Sequence, residues 1–264
     1  MSQTLDPQKA ITYSSYLEVD ALLNLQRPES SEHDELLFII IHQVYELWFK
    51  QLLHELDFLK TCLDSADLPR AHYTLKRMLS ILKTVVSQVD ILETMTPLEF
   101  NGFRDRLGSS SGFQSYQFRE LEFALGYKRP KLMSYHPEGS EGRRRLETRY
   151  QSLSLWQHFL AMLSRHGYKL PPALLADPLA SHEANLEVQV VLIEIYRHNP
   201  TLSALCERLL DLDEGIQEWR YRHVKMVERT IGYKMGTGGS SGVDYLKQTL
   251  TPLFPDLWQI RNKL

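Results

Sequence analysis

The chain predicts an all-α protein folded as one bundle-like domain over residues 1–264. Three observations lead there. Apolar residues recur at steps of three, four and seven through most of the sequence. No run of alternating β-branched residues is sustained anywhere. The breaks between periodic stretches are short and carry Pro, Gly or helix-capping residues.

The first long helix is expected over Asp34–Leu63, where Phe38, Tyr45, Phe49, Leu52, Leu56, Leu59 and Leu63 form a stripe whose missing position is His42. The second, Tyr73–Met95, repeats the pattern with Leu75, Leu79, Leu82, Val86, Val89 and Leu92. Thr96-Pro97-Leu98-Glu99 then reads as a helix start, with Thr96 as N-cap, Pro97 at the first helical position and Glu99 closing a capping box. That short helix should end near Leu107, before Gly108–Gly112. Another is expected over Ser115–Leu125, followed by a loop at Lys128–Gly142 that holds Pro130, Pro137, Gly139 and Gly142. Helices resume over Arg143–Arg165, Ser181–Arg197 and Thr201–Ile231, punctuated by Pro171-Pro172 and Asn199-Pro200. The last gives way to a glycine-rich loop, Gly236–Gly242, that contains Thr237.

Composition narrows the function. Thirty Lys and Arg against 33 Asp and Glu leave a net charge of -3, which gives no electrostatic reason to expect nucleic acid or an anionic membrane as partner. The uncharged apolar stretch Leu36–Tyr45 is too short to span a bilayer, and the first ten residues contain no apolar signal core. Cys62 and Cys206 are isolated thiols with no C-x-x-C pair, so a reducing cytoplasm is the expected location.

Four features carry possible chemistry. His223 falls on the stripe of Leu209, Leu212, Ile216, Trp219 and Met226, so it points into the interior. It is either a ligand for iron or a core histidine satisfied by a neighbour. His42, on the Phe38–Phe49 face, has the same two readings. Arg104 lies on the apolar side set by Phe100, Phe103 and Leu107, where a guanidinium needs an anion. That anion is an internal carboxylate or the carboxylate of a substrate. The glycine-rich loop offers backbone N–H groups and hydroxyls, yet no Gly-Lys-Ser/Thr and no preceding strand support a nucleotide loop. It is otherwise a plain surface loop. No Glu-x-x-His pair and no His-Glu-x-x-His occurs, which disfavours carboxylate-bridged di-iron and zinc hydrolysis. Isolated buried histidines among many aromatics are compatible with haem on one axial histidine.

Four blocks, FIIIHQVYELWFKQ (Phe38–Gln51), LETMTPLEFNGFRDRLGSSSGFQS (Leu92–Ser115), WRYRHVKMVER (Trp219–Arg229) and GTGGSSG, together resemble the tryptophan 2,3-dioxygenase family, in the family's order. The resemblance implies a helical protein with one haem b per subunit, active as Fe(II) and assembled as a homotetramer. It implies insertion of O2 across the indole C2–C3 bond of L-tryptophan to give N-formyl-L-kynurenine, the first step of the kynurenine route. By motif, His223 is the proximal iron ligand and His42 sits on the distal side near the indole N–H. Phe38, Ile39, Ile40, Ile41 and Phe100 line the substrate pocket, Arg104 clamps the carboxylate, and Thr237 binds the ammonium-bearing end. Ser111 and Gly112 face the haem, while Tyr13 and Tyr16, in a segment of about 1–33 that packs on a neighbouring subunit, reach into that subunit's pocket. Phe100 stands where some bacterial relatives have tyrosine, so it cannot lend a hydroxyl to the carboxylate. The alternative is a haem-based sensor or binding protein without turnover.

Overall fold

The computed structural model describes residues 11–179, 182–232, 246–247 and 249–264. They are helical, with short 3-10 turns and no strand among the described residues. Two short helices open the chain, α1 (Tyr13–Leu17) and α2 (Val19–Leu23). The frame consists of α3 (Glu35–Asp64), α4 (Leu68–Leu92) and α11 (Pro200–Ile231), with α4 packed against both of the others. Between α4 and α11 stand α5 (Pro97–Arg104), α6 (Tyr116–Leu125), α7 (Glu141–Tyr150), α8 (Leu155–Arg165), α9 (Ala173–Ala176) and α10 (Leu186–His198). A last helix, α12 (Pro255–Gln259), follows α11 in the chain.

The core is where the three long stripes meet. Leu52, Leu56, Leu59 and Leu63 of α3, Leu75, Met78, Leu82 and Val85 of α4, and Leu205, Leu209 and Leu212 of α11 are sealed from solvent. Each set keeps the i, i+3, i+4 spacing that aims side chains at one partner face. Gly215 permits a close approach of α11 to α4, since a Cβ there would lie 3.1 Å from Leu82 Cδ1. Cys62 and Cys206 are buried, apart and unpaired. Taken as a whole, α3 is long and apolar enough by composition to cross a membrane, which the ten-residue stretch alone does not suggest. It packs instead against α4, α6 and α8.

Capping explains where the predicted boundaries hold and where they move. Thr96 accepts from Glu99 N while Thr96 N donates to Glu99 Oε2 at 2.6 Å, so α5 starts as expected. The expected single helix over Arg143–Arg165 is two, because Ser154 and Gln157 form a second capping box. Carbonyls released at this break are taken up by buried ammonium groups. Lys128 Nζ donates to Tyr150 O and Ser152 O, and Lys60 Nζ to Leu153 O at 3.1 Å. Burial pushes both lysines down to about 8. The helix expected from Ser181 begins at Leu186, because Asn185 caps it through Glu187 N and Val188 N. The second long helix starts earlier than expected, at Leu68, where Asp67 accepts from Arg70 N. The C-terminal segment is fastened to α11 by Asp213, a fully buried carboxylate that accepts from Leu253 N, Phe254 N and Trp258 Nε1.

Candidate functional site

The helices enclose a cavity of about 250 Å³ between α3, α5, α6, α11 and the segment 111–115. From α3, the residues facing it are Phe38, His42, Tyr45, Glu46 and Phe49, offsets of four, seven, eight and eleven that share one helical face. Ile39, Ile40 and Ile41, expected as substrate contacts, do not line it. The 100° step per residue turns them aside: Ile41 enters the core and Ile40 is 40% exposed on the outer surface.

His42 Nδ1 lies 2.7 Å from Phe38 O, one turn back. A carbonyl oxygen only accepts, so Nδ1 carries the proton and Nε2 keeps its lone pair. The open surface of His42 faces the cavity. Withdrawal from water lowers its proton affinity, partly opposed by the Phe38 carbonyl and by Glu46. The ring is therefore neutral near pH 7 and presents an acceptor. Phe38 lies 4.1 Å from it, centroid to centroid, and packs edge-on against Phe103 at 5.5 Å. Phe100 and Phe103 are buried on α5, and Arg104, four residues after Phe100, lines the cavity as its position on the apolar side predicts.

Ser111 and Gly112 also line the cavity. Residues 108–112 satisfy the string Gly-x-Ser-x-Gly. They follow the 3-10 turn Asp105–Leu107 and not a strand, so they form no nucleophile elbow.

The opposite wall belongs to α6 and α11. His223 and Trp219, one turn apart, stack at 5.3 Å with 13° between their planes. Trp219 is in turn wedged against Phe118 at 4.6 Å and Phe49 at 5.8 Å. Burial first, then the neighbouring His42 and Arg119 charges, hold the His223 imidazole down at about 4. It is thus neutral, with a lone pair available to a metal. Among the described residues no three His, Cys, Asp or Glu side chains gather as a metal site. A metal ion here would rest on one histidine and bring its remaining ligands with it.

Residues singled out from sequence thus converge in part. Phe38, His42, Phe100, Arg104, Ser111, Gly112 and His223 share the cavity. Tyr13 and Tyr16 are 77% and 74% exposed on α1 and do not line it within the chain. Thr237 lies outside the described residues. Sequence reading missed Arg119, Glu122 and Arg220, all buried and all lining the cavity. Glu122 binds Arg119 at 2.5 Å and Arg220 at 2.7 Å. The one local hint was Arg119, Glu120 and Glu122 among the apolar residues of Phe118–Leu125.

A family model described as tryptophan 2,3-dioxygenase matches residues 2–167 and 138–264. The chain is 60% identical over 259 residues to a protein named tryptophan 2,3-dioxygenase from Herpetosiphon aurantiacus, covering 97% of this chain and 99% of the relative. It is 53% identical to one from Anaeromyxobacter sp. (strain K), covering 97% of each. With one from Bacillus anthracis it shares 42% identity over 98% of this chain and 95% of the relative. Spread across every wall of the cavity and both ends of the chain, these matches mean that the protein belongs to the tryptophan 2,3-dioxygenase family.

Proposed function

We propose that the protein is a haem-dependent dioxygenase that inserts both atoms of O2 across the indole C2–C3 bond of L-tryptophan. The product is N-formyl-L-kynurenine, and the reaction opens the kynurenine route. The observation that carries this reading is the convergence of His223, His42 and Arg104 on one largely apolar cavity, in a chain that matches its relatives almost end to end.

The residues present fit haem b. His223 supplies one neutral nitrogen, and no protein cluster competes for the metal among the described residues. Trp219, Phe118 and Met226 give flat apolar walls. Trp219 Nε1 is buried without a hydrogen-bond partner among the described residues, a donor that a polar group of a ligand satisfies. One haem b per subunit, with its iron as Fe(II), supplies the centre that activates dioxygen, chemistry no side chain here can perform.

The chain's own residues bind and orient the substrate. Phe38 packs on the indole, and His42 Nε2 accepts the indole N–H. A nitrogen with lowered proton affinity is a weak base, so His42 positions the N–H and does not remove its proton. Arg104 forks the carboxylate and Thr237 binds the ammonium-bearing end, which together hold C2–C3 in a single orientation. Ser111 and Gly112 border the cavity, where they would face the haem. The working assembly is a homotetramer in the cytoplasm, in which Tyr13 and Tyr16 close a neighbour's pocket. The exposure of Ile11, Tyr13 and Tyr16 supports that reading.

The test is anaerobic reduction of haem-loaded protein, then addition of O2 with L-tryptophan or with tryptamine, which lacks the carboxylate. Rapid formation of N-formyl-L-kynurenine from tryptophan, with tryptamine a poor substrate, is expected. Stable oxygen binding without product would replace the enzyme by a sensor.

A further inference from the structure

One carboxylate on the cavity wall has no part in holding the substrate or the iron. Glu46 lies one turn after His42 on the same face of α3, a spacing that puts the two Cβ atoms about 5–6 Å apart. It sits at the seam between the walls, where Gln117 of α6 clamps it. The buried Gln117 amide donates to Glu46 Oε2 at 2.8 Å and to Glu46 O at 2.9 Å. That partner is neutral. Among the described residues Glu46 enters no ion pair, and its Oε1 has no hydrogen-bond partner. The other titratable or charged groups around the cavity are Tyr45 on α3, Arg104 on α5, Arg119 and Glu122 on α6, and Arg220 and His223 on α11. Glu122 is taken up by Arg119 and Arg220. Glu46 is therefore, among the described residues, the carboxylate of this cavity whose charge no cation cancels.

In a largely apolar cavity such a charge acts over several ångströms. The nearby His42 imidazole responds to it: burial lowers its proton affinity, and the Glu46 carboxylate pulls the other way. His42 Nδ1–H is taken by Phe38 O, so Glu46 acts on the ring across space and not by a hydrogen bond. The proposed reaction gives this field a use. When oxygen adds to the indole, the C2–C3 electron pair forms the new carbon–oxygen bond and the nitrogen lone pair shifts in behind it. The proton stays on nitrogen, and positive charge grows on the N–H that His42 Nε2 accepts.

We infer that Glu46 is a positioning residue for the dioxygenation, whose carboxylate, fixed by Gln117, sets a negative field behind His42 that strengthens the His42–indole hydrogen bond as charge develops on the nitrogen. Nothing is transferred to or from Glu46. The inference rests on the dioxygenase reading above and adds to it a residue that acts through His42.

The experiment compares native protein with Glu46→Gln, which keeps the side-chain length and an oxygen for the Gln117 amide but removes the charge, and with Glu46→Asp, which keeps the charge. Haem content, circular dichroism and thermal unfolding establish that each variant is folded and loaded. Reduced protein is mixed with O2 and saturating substrate, and one turnover is followed for L-tryptophan, 6-fluoro-L-tryptophan and 6-methyl-L-tryptophan. Glu46→Gln should slow the turnover of tryptophan by about fivefold to tenfold with its affinity unchanged. Fluorine makes charge on the nitrogen more costly, so the loss should be larger for the fluoro than for the methyl substrate. Glu46→Asp should recover most of the rate. A second readout needs no turnover: with isotope-labelled histidines in cofactor-free protein, nuclear magnetic resonance should show His42 of Glu46→Gln taking up its proton at lower pH than in native protein. An unchanged rate, an equal loss on both substituted substrates, or an unmoved His42 titration overturns the inference. Failure of the dioxygenase reading looks different: native protein itself would then form no N-formyl-L-kynurenine.

Discussion

The two walls of the cavity are built by different means. The α3–α5 wall is local: His42 is oriented by a carbonyl four residues away, and Arg104 is placed by a capping box eight residues upstream. The α6–α11 wall is long-range. Glu122 and Arg220 are 98 residues apart, and Arg220 also holds the carbonyl of Thr249. The first wall presents an aromatic face with one neutral acceptor and one cation. The second presents a neutral ligand nitrogen backed by a dense ionic cluster. The difference suits two occupants. A substrate that enters and leaves meets side chains that a single helix orients, while a resident cofactor meets groups clamped between helices.

The largest expected effect belongs to the second wall. His223→Ala should abolish stable haem binding, because it removes the one nitrogen proposed as iron ligand. A purified variant with a full, unshifted haem spectrum would erase the contrast between the walls. Next comes Arg104→Ala on the first wall. It should cut kcat/KM for L-tryptophan by about 2–4 kcal/mol of transition-state binding, since it deletes a charge-assisted pair from an apolar pocket. Haem content should stay native and activity on tryptamine nearly unchanged. An undiminished kcat/KM would refute the carboxylate role.

A pH titration of the cofactor-free protein sharpens the comparison further. Burial holds the His223 imidazole down at about 4 in the folded protein, against an ordinary 6.5 in the unfolded chain. Between those values the unfolded chain binds more protons, so stability rises with pH across the window and falls on acidification. The loss between about pH 6.5 and pH 4 should be roughly 2–3 kcal/mol, discounted for the share of the shift that comes from His42. Denaturant unfolding at several pH values measures it, and His223→Leu should flatten the slope. An equally steep slope in that variant would assign the effect elsewhere. The smallest expected effect is that of His42→Ala, which loses one neutral hydrogen bond to the indole. Turnover should fall several-fold, about 1 kcal/mol, with haem affinity intact. Complete loss would make His42 an obligatory base.

Much of the first wall was legible because its information is local. The stripe from Phe38 to Phe49, the Thr96 capping box and the apolar side of α5 all follow from spacing within one turn or two. The same rule, applied with its full 100° step, separates Phe38 and His42 from Ile39, Ile40 and Ile41, which carry the motif but face away from the cavity. The break between α7 and α8 was missed although Ser154 and Gln157 were in view. The apolar residues on either side disguised it, and the lysines that make it tolerable, Lys60 and Lys128, come from distant parts of the chain. The C-terminal helix was missed for a related reason. Its anchor, Asp213, sits about forty residues away in a stretch that reads as ordinary helix.

By itself, the sequence determined the helical class, most helix boundaries, the family, and which histidines lie on inward faces. These depend on periodicity, capping and motif order, which are written in residues close together along the chain. Only the tertiary structure decided that both histidines open onto one cavity, that Trp219 backs His223, and that Arg119, Glu122 and Arg220 form one buried cluster. The physical reason is burial. A charged side chain on a helix reads as solvent-facing until packing takes its water away, and only then does its partner, here on another helix, determine what it can bind.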